Sequence, residues 1–241
     1  MEKYSKLLDR NFNEFKGRVY EKGILKLKLS SWDQFNIITK IFLNNEADYF
    51  WRGHQDESWE LKSLFDREIS KKSSKDVLLP HISKRQDKLN EILKIFDQKL
   101  KEILPENANI IDDDEKWAIG QHYGLPTPLL DWTVSPHIAA FIAFRKKCKK
   151  NQSENRVVYA LSISLQRLIN KNKLKLKNHK AGMVISSNTT SIDRFVDFLD
   201  LTNTCDDMQN IRLKAQQGRF TKALNGIDIK TRVMTRTAGF L

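Results

Sequence analysis

Four polar side chains set among apolar neighbours could do chemistry in this sequence: Arg52, His122, Asp131 and Gln216. Arg52 follows Tyr49-Phe50-Trp51, and a guanidinium at the end of a buried aromatic strand is costly unless it meets an anion or a ring of acceptors. Gly53 follows it and lets a ligand or another backbone come close. The competing expectation for Arg52 is a structural ion pair, to Asp131 or to one of Asp56, Glu57 and Glu60. His122 has the chemistry of a general acid–base with Asp131 to orient it, and equally of a hydrogen-bonded histidine at a helix–loop junction. Gln216 lies in NIRLKAQQGRF, which brings Arg212, Gln216, Gln217 and Gly218 together.

The densest stretch is Gln121–Phe144, QHYGLPTPLLDWTVSPHIAAFIAF. Polar residues immediately before an apolar helix are badly placed for a solvated loop and well placed for a site. The pocket expected from these segments is lined by Arg52, Gln121, His122, Tyr123, Thr127, Asp131, Trp132, Thr133 and Gln216. A zinc site from His54, His122, His137 and Asp131 requires the fold to gather them. Asp112-Asp113-Asp114-Glu115 reads as the cap of the next helix rather than as a metal site. Neither Cys148 nor Cys205 has a clear base partner, and their separation matches no metal or disulfide framework. No nucleophile elbow, phosphate-binding loop or complete dinucleotide fingerprint is present.

The elements that must position these residues follow from pattern. Ser135-Pro136 starts a helix, Ser by capping free N–H groups and Pro by losing an N–H that had no partner. That helix, His137 to about Lys150, is apolar almost all round until Phe144, so burial is expected, and its last turn is basic where the dipole favours cations. Tyr49–Trp51 reads as a strand broken by Arg52-Gly53. Ser31-Trp32-Asp33-Gln34 has the form of a capping box before a helix to about Leu43. A long helix begins after Pro80, with Leu89, Ile92, Leu93, Phe96, Leu100, Ile103 and Leu104 at helical spacing, and stops at Pro105. Strands are expected over 23–29, 156–165, 219–224 and 227–234, and a short helix from Ser191 carrying Phe195, Val196, Phe198 and Leu199. Residues 1–29 form a peripheral helix and strand, and residues 30–241 one mixed α+β domain. Its central β-sheet, continuous or split, is flanked by helices.

Composition narrows the class. The 241 residues are 40% hydrophobic, enough for a real core. No apolar run approaches the ~20 residues that span a bilayer, and Met1–Arg10 has no signal-peptide pattern, so a soluble cytoplasmic protein with no membrane partner is expected. The formal charge of +12 lies entirely in residues 121–241, because residues 1–120 carry equal numbers of basic and acidic side chains. Residues 145–180 hold 12 basic residues and one acid, Glu154. This segment suits either a phosphate-rich partner or a solvated Lys-rich loop.

Three blocks in order, YFWRGHQDESWELKSLFDRE, QHYGLPTPLLDWTVSPHIAAFIAF and RLKAQQGRF, resemble the FRG domain, a bacterial and phage family named after a Phe-Arg-Gly motif. The resemblance covers roughly residues 30–225. Trp51 replaces the motif's Phe, and Pro128 stands where the family usually has Arg. A weaker resemblance, to the ADP-ribosyltransferase superfamily, rests on Arg52-Gly53, then Asp131-Trp132-Thr133-Val134-Ser135, then Ala139/Ala140 and Phe141/Phe144. It implies that Arg52 grips the pyrophosphate of NAD beside Gly53, Gln121, Thr127 and Thr133, with Tyr123 or Trp132 stacking nicotinamide. The late Glu of that superfamily has no counterpart here, since no Glu follows Glu154, and Gln216 or Asp131 would have to orient the ribose.

These readings imply an NAD-using enzyme, a toxin or anti-phage defence effector that modifies a protein or nucleic-acid acceptor and has an antitoxin or defence-system partner. The competing classes are a non-catalytic nucleotide- or nucleic-acid-binding module, using the Arg52/Asp131 pocket and the basic 145–180 surface, and a metal-dependent phosphodiesterase working through His122.

Overall fold

A computed structural model describes residues 19–21, 24–44, 49–72, 81–103, 112–147, 153–163, 196–199 and 217–223. The expectations for residues 1–18 and 227–234, for Gln216 and Arg212, for both cysteines and for most of the basic segment lie outside the described residues. The architecture is α+β. Strands β1 (Val19–Glu21) and β2 (Ile24–Lys26) pair antiparallel in a small sheet of their own. A second, antiparallel sheet contains β3 (Tyr49–His54), β4 (Leu129–Thr133), β5 (Val157–Ser162), β6 (Val196–Leu199) and β7 (Gly218–Ala223), in the order β5-β3-β4-β7-β6. Five helices are described: α1 (Trp32–Asn44), α2 (Leu64–Lys72), α3 (His81–Ile103), α4 (Asp113–His122) and α5 (Pro136–Phe144).

The larger sheet has a weak seam. β3 pairs β5 from Tyr49↔Ser162 to His54↔Val157, and β4 pairs β7 from Leu129↔Lys222 to Thr133↔Gly218. Between β3 and β4, in contrast, the one registered pair is Trp51↔Thr133. The sheet is therefore two halves, β5-β3 and β4-β7-β6, joined at a single rung and diverging toward His54 and Leu129.

Strand alternation fixes the faces. Phe50, Leu130, Trp132, Leu161 and Ile163 form one buried cluster, with Leu61 and Tyr159 packed against it. On the other side Leu129 and Phe220 join Phe65, Leu89 and Trp117 from α2, α3 and α4. Among buried polar groups, Trp132 donates its Nε1–H to Thr221 Oγ1 at 2.8 Å. Asp66 and Arg85 make a forked pair at 2.6 and 3.1 Å that locks α2 to α3.

Helix ends follow the expected chemistry closely. Asp112 accepts from Glu115 N–H while the Glu115 side chain accepts from Asp112 N–H, so the acidic run caps α4. At the other end Leu125 N–H reaches back to Gly120 O at 2.8 Å around Gly124, whose φ of 86° suits glycine. Ser135 caps α5 and Pro136 opens it. Ser31 caps α1 through Gln34 N–H, but the Gln34 amide oxygen accepts from Ser30 N–H rather than from Ser31.

Four expectations need correction. Arg52-Gly53 does not break its strand, because β3 stays registered with β5 through His54. Val196–Leu199 is a strand rather than helix, since β7 supplies a ladder from Val196↔Ala223 to Leu199↔Phe220. The helix after Ser135 ends at Phe144, short of Lys150. It is also buried on one side only: Ala139, Ala140 and Ala143 are buried while Phe141 and Phe144 are exposed. Small side chains face the sheet because the approach is very close. A Cβ on Gly53 would lie 1.9 Å from Ala139 O, so the backbone that Gly53 admits is that of α5.

Candidate functional site

The divergence of β3 from β4 leaves the Asp131 carbonyl without a strand partner on the β3 side, and a side chain takes that role. Arg52 donates from Nη1 to Asp131 O at 2.5 Å, one residue beyond the Trp51–Thr133 rung. Its Nε–H donates to His54 Nε2 at 2.9 Å. Residues 52 and 54 share a strand face, which makes this contact possible. His54 is buried, and its Nδ1 sits 3.2 Å from Trp59 O. These contacts assign the neutral tautomer protonated on Nδ1, donating to Trp59 O and accepting from Arg52. Burial, with the Arg52 charge next, pushes His54 down to about 4, which keeps the ring neutral.

Asp131 continues the chain. Gln121, in the last turn of α4, donates from Nε2 to Asp131 Oδ1 at 2.5 Å. The Gln121 Oε1 in turn accepts from the hydroxyl of buried Thr127. Thr127 is held by the loop from α4 to β4, where its carbonyl accepts from Phe65 N–H at 3.3 Å. A continuous polar line thus runs Trp59–His54–Arg52–Asp131–Gln121–Thr127 across the seam.

The electrostatics leave this line short of negative charge. The Arg52 hydrogen-bond partners are a neutral imidazole and a carbonyl, and the Asp131 carboxylate stands 3.8 Å away. Asp131 is 61% exposed against 18% for Arg52, so much of its charge is spent in water. Burial lowers the Arg52 pKa; Asp131 opposes this and Arg67 adds to it. Arg52 remains a cation, since guanidinium does not lose its proton in proteins. Among the described residues its hydrogen bonds are at Nε and Nη1, and none is at Nη2. Tyr159, opposite Arg52 on β5, is pushed up by burial.

The expected ion pairs resolve in favour of Asp131. Asp56 instead accepts from Ser58 and from Ser153 N–H, and Glu57 from Ser153 and Asn155. Hydrogen bonds from Ser58 hold Asp56 below its ordinary value, and those from Asn155 and Ser153 do the same for Glu57.

Of the residues expected to form the pocket, Arg52, Gln121, Thr127 and Asp131 are joined directly. Tyr123 is 68% exposed just beyond α4, with the exposed His122 ring edge-on at 5.1 Å. Asp131 is engaged by Gln121 and Arg52 and has no described hydrogen bond to His122. Trp132 is buried and commits its N–H to Thr221, so of the two rings expected to stack, Tyr123 is the exposed one. Thr133 is buried too, its Oγ1 accepting from Ser135 N–H at the entry to α5. The zinc grouping is not assembled: His54 holds Arg52, while His137 lies 3.4 Å from Asn36 Oδ1 and against Phe35. Among the described residues no three His, Cys, Asp or Glu side chains are placed to hold a metal ion. No described helix is long and apolar enough to cross a membrane.

His54 was legible only as a metal candidate, although its spacing from Arg52 on a strand was the signal for its actual role. An α+β fold with a seamed antiparallel sheet, and an arginine-centred polar line at the seam, defines the class. Residues 47–152 match the model of the FRG domain family. No curated protein and no solved structure matches the chain.

Proposed function

We propose that the Arg52 site binds the pyrophosphate of NAD and that the protein is an ADP-ribosyltransferase-like enzyme. One observation carries this reading. Arg52 stands where β3 and β4 part, held at Nε and Nη1 by uncharged acceptors, with Nη2 left for an anion. A planar fork fixed in this way is well suited to grip phosphate oxygens. In this reading Gln121 and Asp131 would take ribose hydroxyls, and the exposed ring of Tyr123 would cover nicotinamide. NAD would supply the ADP-ribose to be transferred, and a protein or nucleic acid the acceptor, as expected of a toxin or defence effector.

A second reading, a binding module without turnover, is favoured by the carboxylate inventory. No Glu follows Glu154, and Asp131 already accepts from Gln121 beside Arg52. The test is nicotinamide release from NAD by wild type, Arg52→Lys and Arg52→Ala, with cell extract supplying acceptor. Release by wild type, lost in both variants, is the expected result; Lys keeps the charge but not the fork. A melting shift with NAD but no release favours the binding module, and neither response overturns the NAD reading.

A further inference from the structure

Helix α5 presents two different faces. Its inner face, Ala139, Ala140 and Ala143, lies against the sheet. Its outer face carries Phe141 and Phe144, 69% and 62% exposed, one and two turns after exposed His137. Positions 137, 141 and 144 fall on one stripe of a helix. The stripe continues onto α1, because Phe35 and Trp32 both meet the His137 ring, with centroids 5.9 and 6.5 Å away. Trp32 is itself 53% exposed and stacked on Phe35. At its other end the stripe runs into Arg145, Lys146 and Lys147, all exposed. Three large exposed apolar rings, Trp32, Phe141 and Phe144, on two helices that meet at His137 make an apolar surface of the kind that marks an interaction site.

Charge selects the occupant. A second copy would bring three basic residues and a chain charge of +12 against their like, which opposes self-association. We infer that the α5–α1 aromatic stripe is a docking surface for an acidic amphipathic protein segment, whose apolar side chains cover Phe141, Phe144 and Trp32 while its carboxylates meet Arg145, Lys146 and Lys147. Such a segment follows the helix-in-groove pattern, with anchors at helical spacing. The surface does not depend on the Arg52 site, so it stands whether or not NAD is bound there.

The test is selection of a displayed random 16-residue peptide library on the full chain. Two variants serve as counter-targets: Phe141→Ser/Phe144→Ser and Lys146→Glu/Lys147→Glu. The substituted side chains are exposed, so both variants are expected to melt within about 3 °C of wild type. Expected are net-acidic peptides with apolar residues three or four apart, bound at least tenfold more weakly by each variant. Enriched peptides that are not acidic, that bind both variants as well as wild type, or that fail to emerge overturn the proposal. So does binding to phosphatidylserine vesicles or duplex DNA that the aromatic variant abolishes while peptide binding persists. Dimerisation lost with the two phenylalanines overturns it in favour of a second copy.

Discussion

His54 makes the sharpest prediction, because its neutrality holds Arg52 in place. The ring is buried, accepts from Arg52 Nε and donates to Trp59 O, and these contacts leave no position for a second proton. Its pKa falls from 6.5 to about 4 on folding. The unfolded chain therefore binds the proton more readily than the native one. Stability is fully present above pH 6.5 and is lost as pH falls toward 4. The difference corresponds to about 3.4 kcal/mol below both values, at 1.36 kcal/mol per pH unit. Between them the loss is about 1.4 kcal/mol at pH 5.5 and about 2.5 kcal/mol at pH 4.5, relative to pH 7.5. Other groups titrate in this range as well, so the assay is a comparison: urea midpoints of wild type and His54→Gln at pH 7.5, 5.5 and 4.5. Glutamine offers an acceptor to Arg52 and cannot take up the proton. The wild type should lose about 1.4 and about 2.5 kcal/mol more than the variant at the two lower pH values. Parallel pH curves for the two proteins would refute the neutral-imidazole account of how Arg52 is held.

Gly53→Ala should cost about 3 kcal/mol, measured as a shift in urea midpoint, since its Cβ would lie 1.9 Å from Ala139 O and 2.9 Å from Ala143 N. Both neighbours are backbone atoms of one helix and cannot rotate away, so a change under about 0.5 kcal/mol would mean that α5 does not seat on β3 this closely. Asp66→Ala should cost about 3–5 kcal/mol by leaving Arg85 buried without its carboxylate, and adding Arg85→Met should restore much of it. Equal loss in the single and double variants would show that the forked pair is not what couples α2 to α3.

The readable parts of the sequence were those whose cause is local. The periodic α3, the Asp112–Glu115 box and Ser135-Pro136 each contain their own reason for forming, within one or two turns. Residues 196–199 do not: a four-residue segment with Val196, Phe198 and Leu199 around Asp197 suits either a helix or a strand, and β7, some twenty residues later, decides it. Helix α5 misled for a related reason. A helix apolar all round does not say which face is buried, and here van der Waals approach to Gly53 selected the alanines over the phenylalanines. The site was half legible. Arg52, Gln121, Thr127 and Asp131 stood out as polar residues in apolar stretches, but their joining depends on where β3 and β4 separate. Sequence carries no direct mark of that register. Trp132 and Thr133 drew attention for the same reason as Asp131, yet strand alternation and the entry to α5 turned them to packing and capping.

The seam gives Arg52 a structural role that is compatible with the anion-binding role proposed for it. β3 is committed to β5 and β4 to β7 along their full lengths, while Thr133-Val134-Ser135 leads directly from β4 into the helix that Gly53 seats on β3. The two halves are thus tied at the Trp51–Thr133 end and free to part at the other. A closed ladder would satisfy Asp131 O with a backbone N–H and leave no opening. The parted one needs a donor from elsewhere, and an unmet carbonyl there would cost about 1–3 kcal/mol. Arg52 supplies that donor with Nη1 while His54 fixes Nε, and neither bond uses Nη2. Under the proposed function, an anion at Nη2 would leave intact the contact that holds the seam together. It follows that Arg52→Ala removes a structural donor along with the fork proposed to bind the ligand, whereas Arg52→Lys can still reach a carbonyl but cannot offer two parallel N–H groups. Binding lost in the lysine variant at near-native stability would assign the fork to the ligand rather than to the fold.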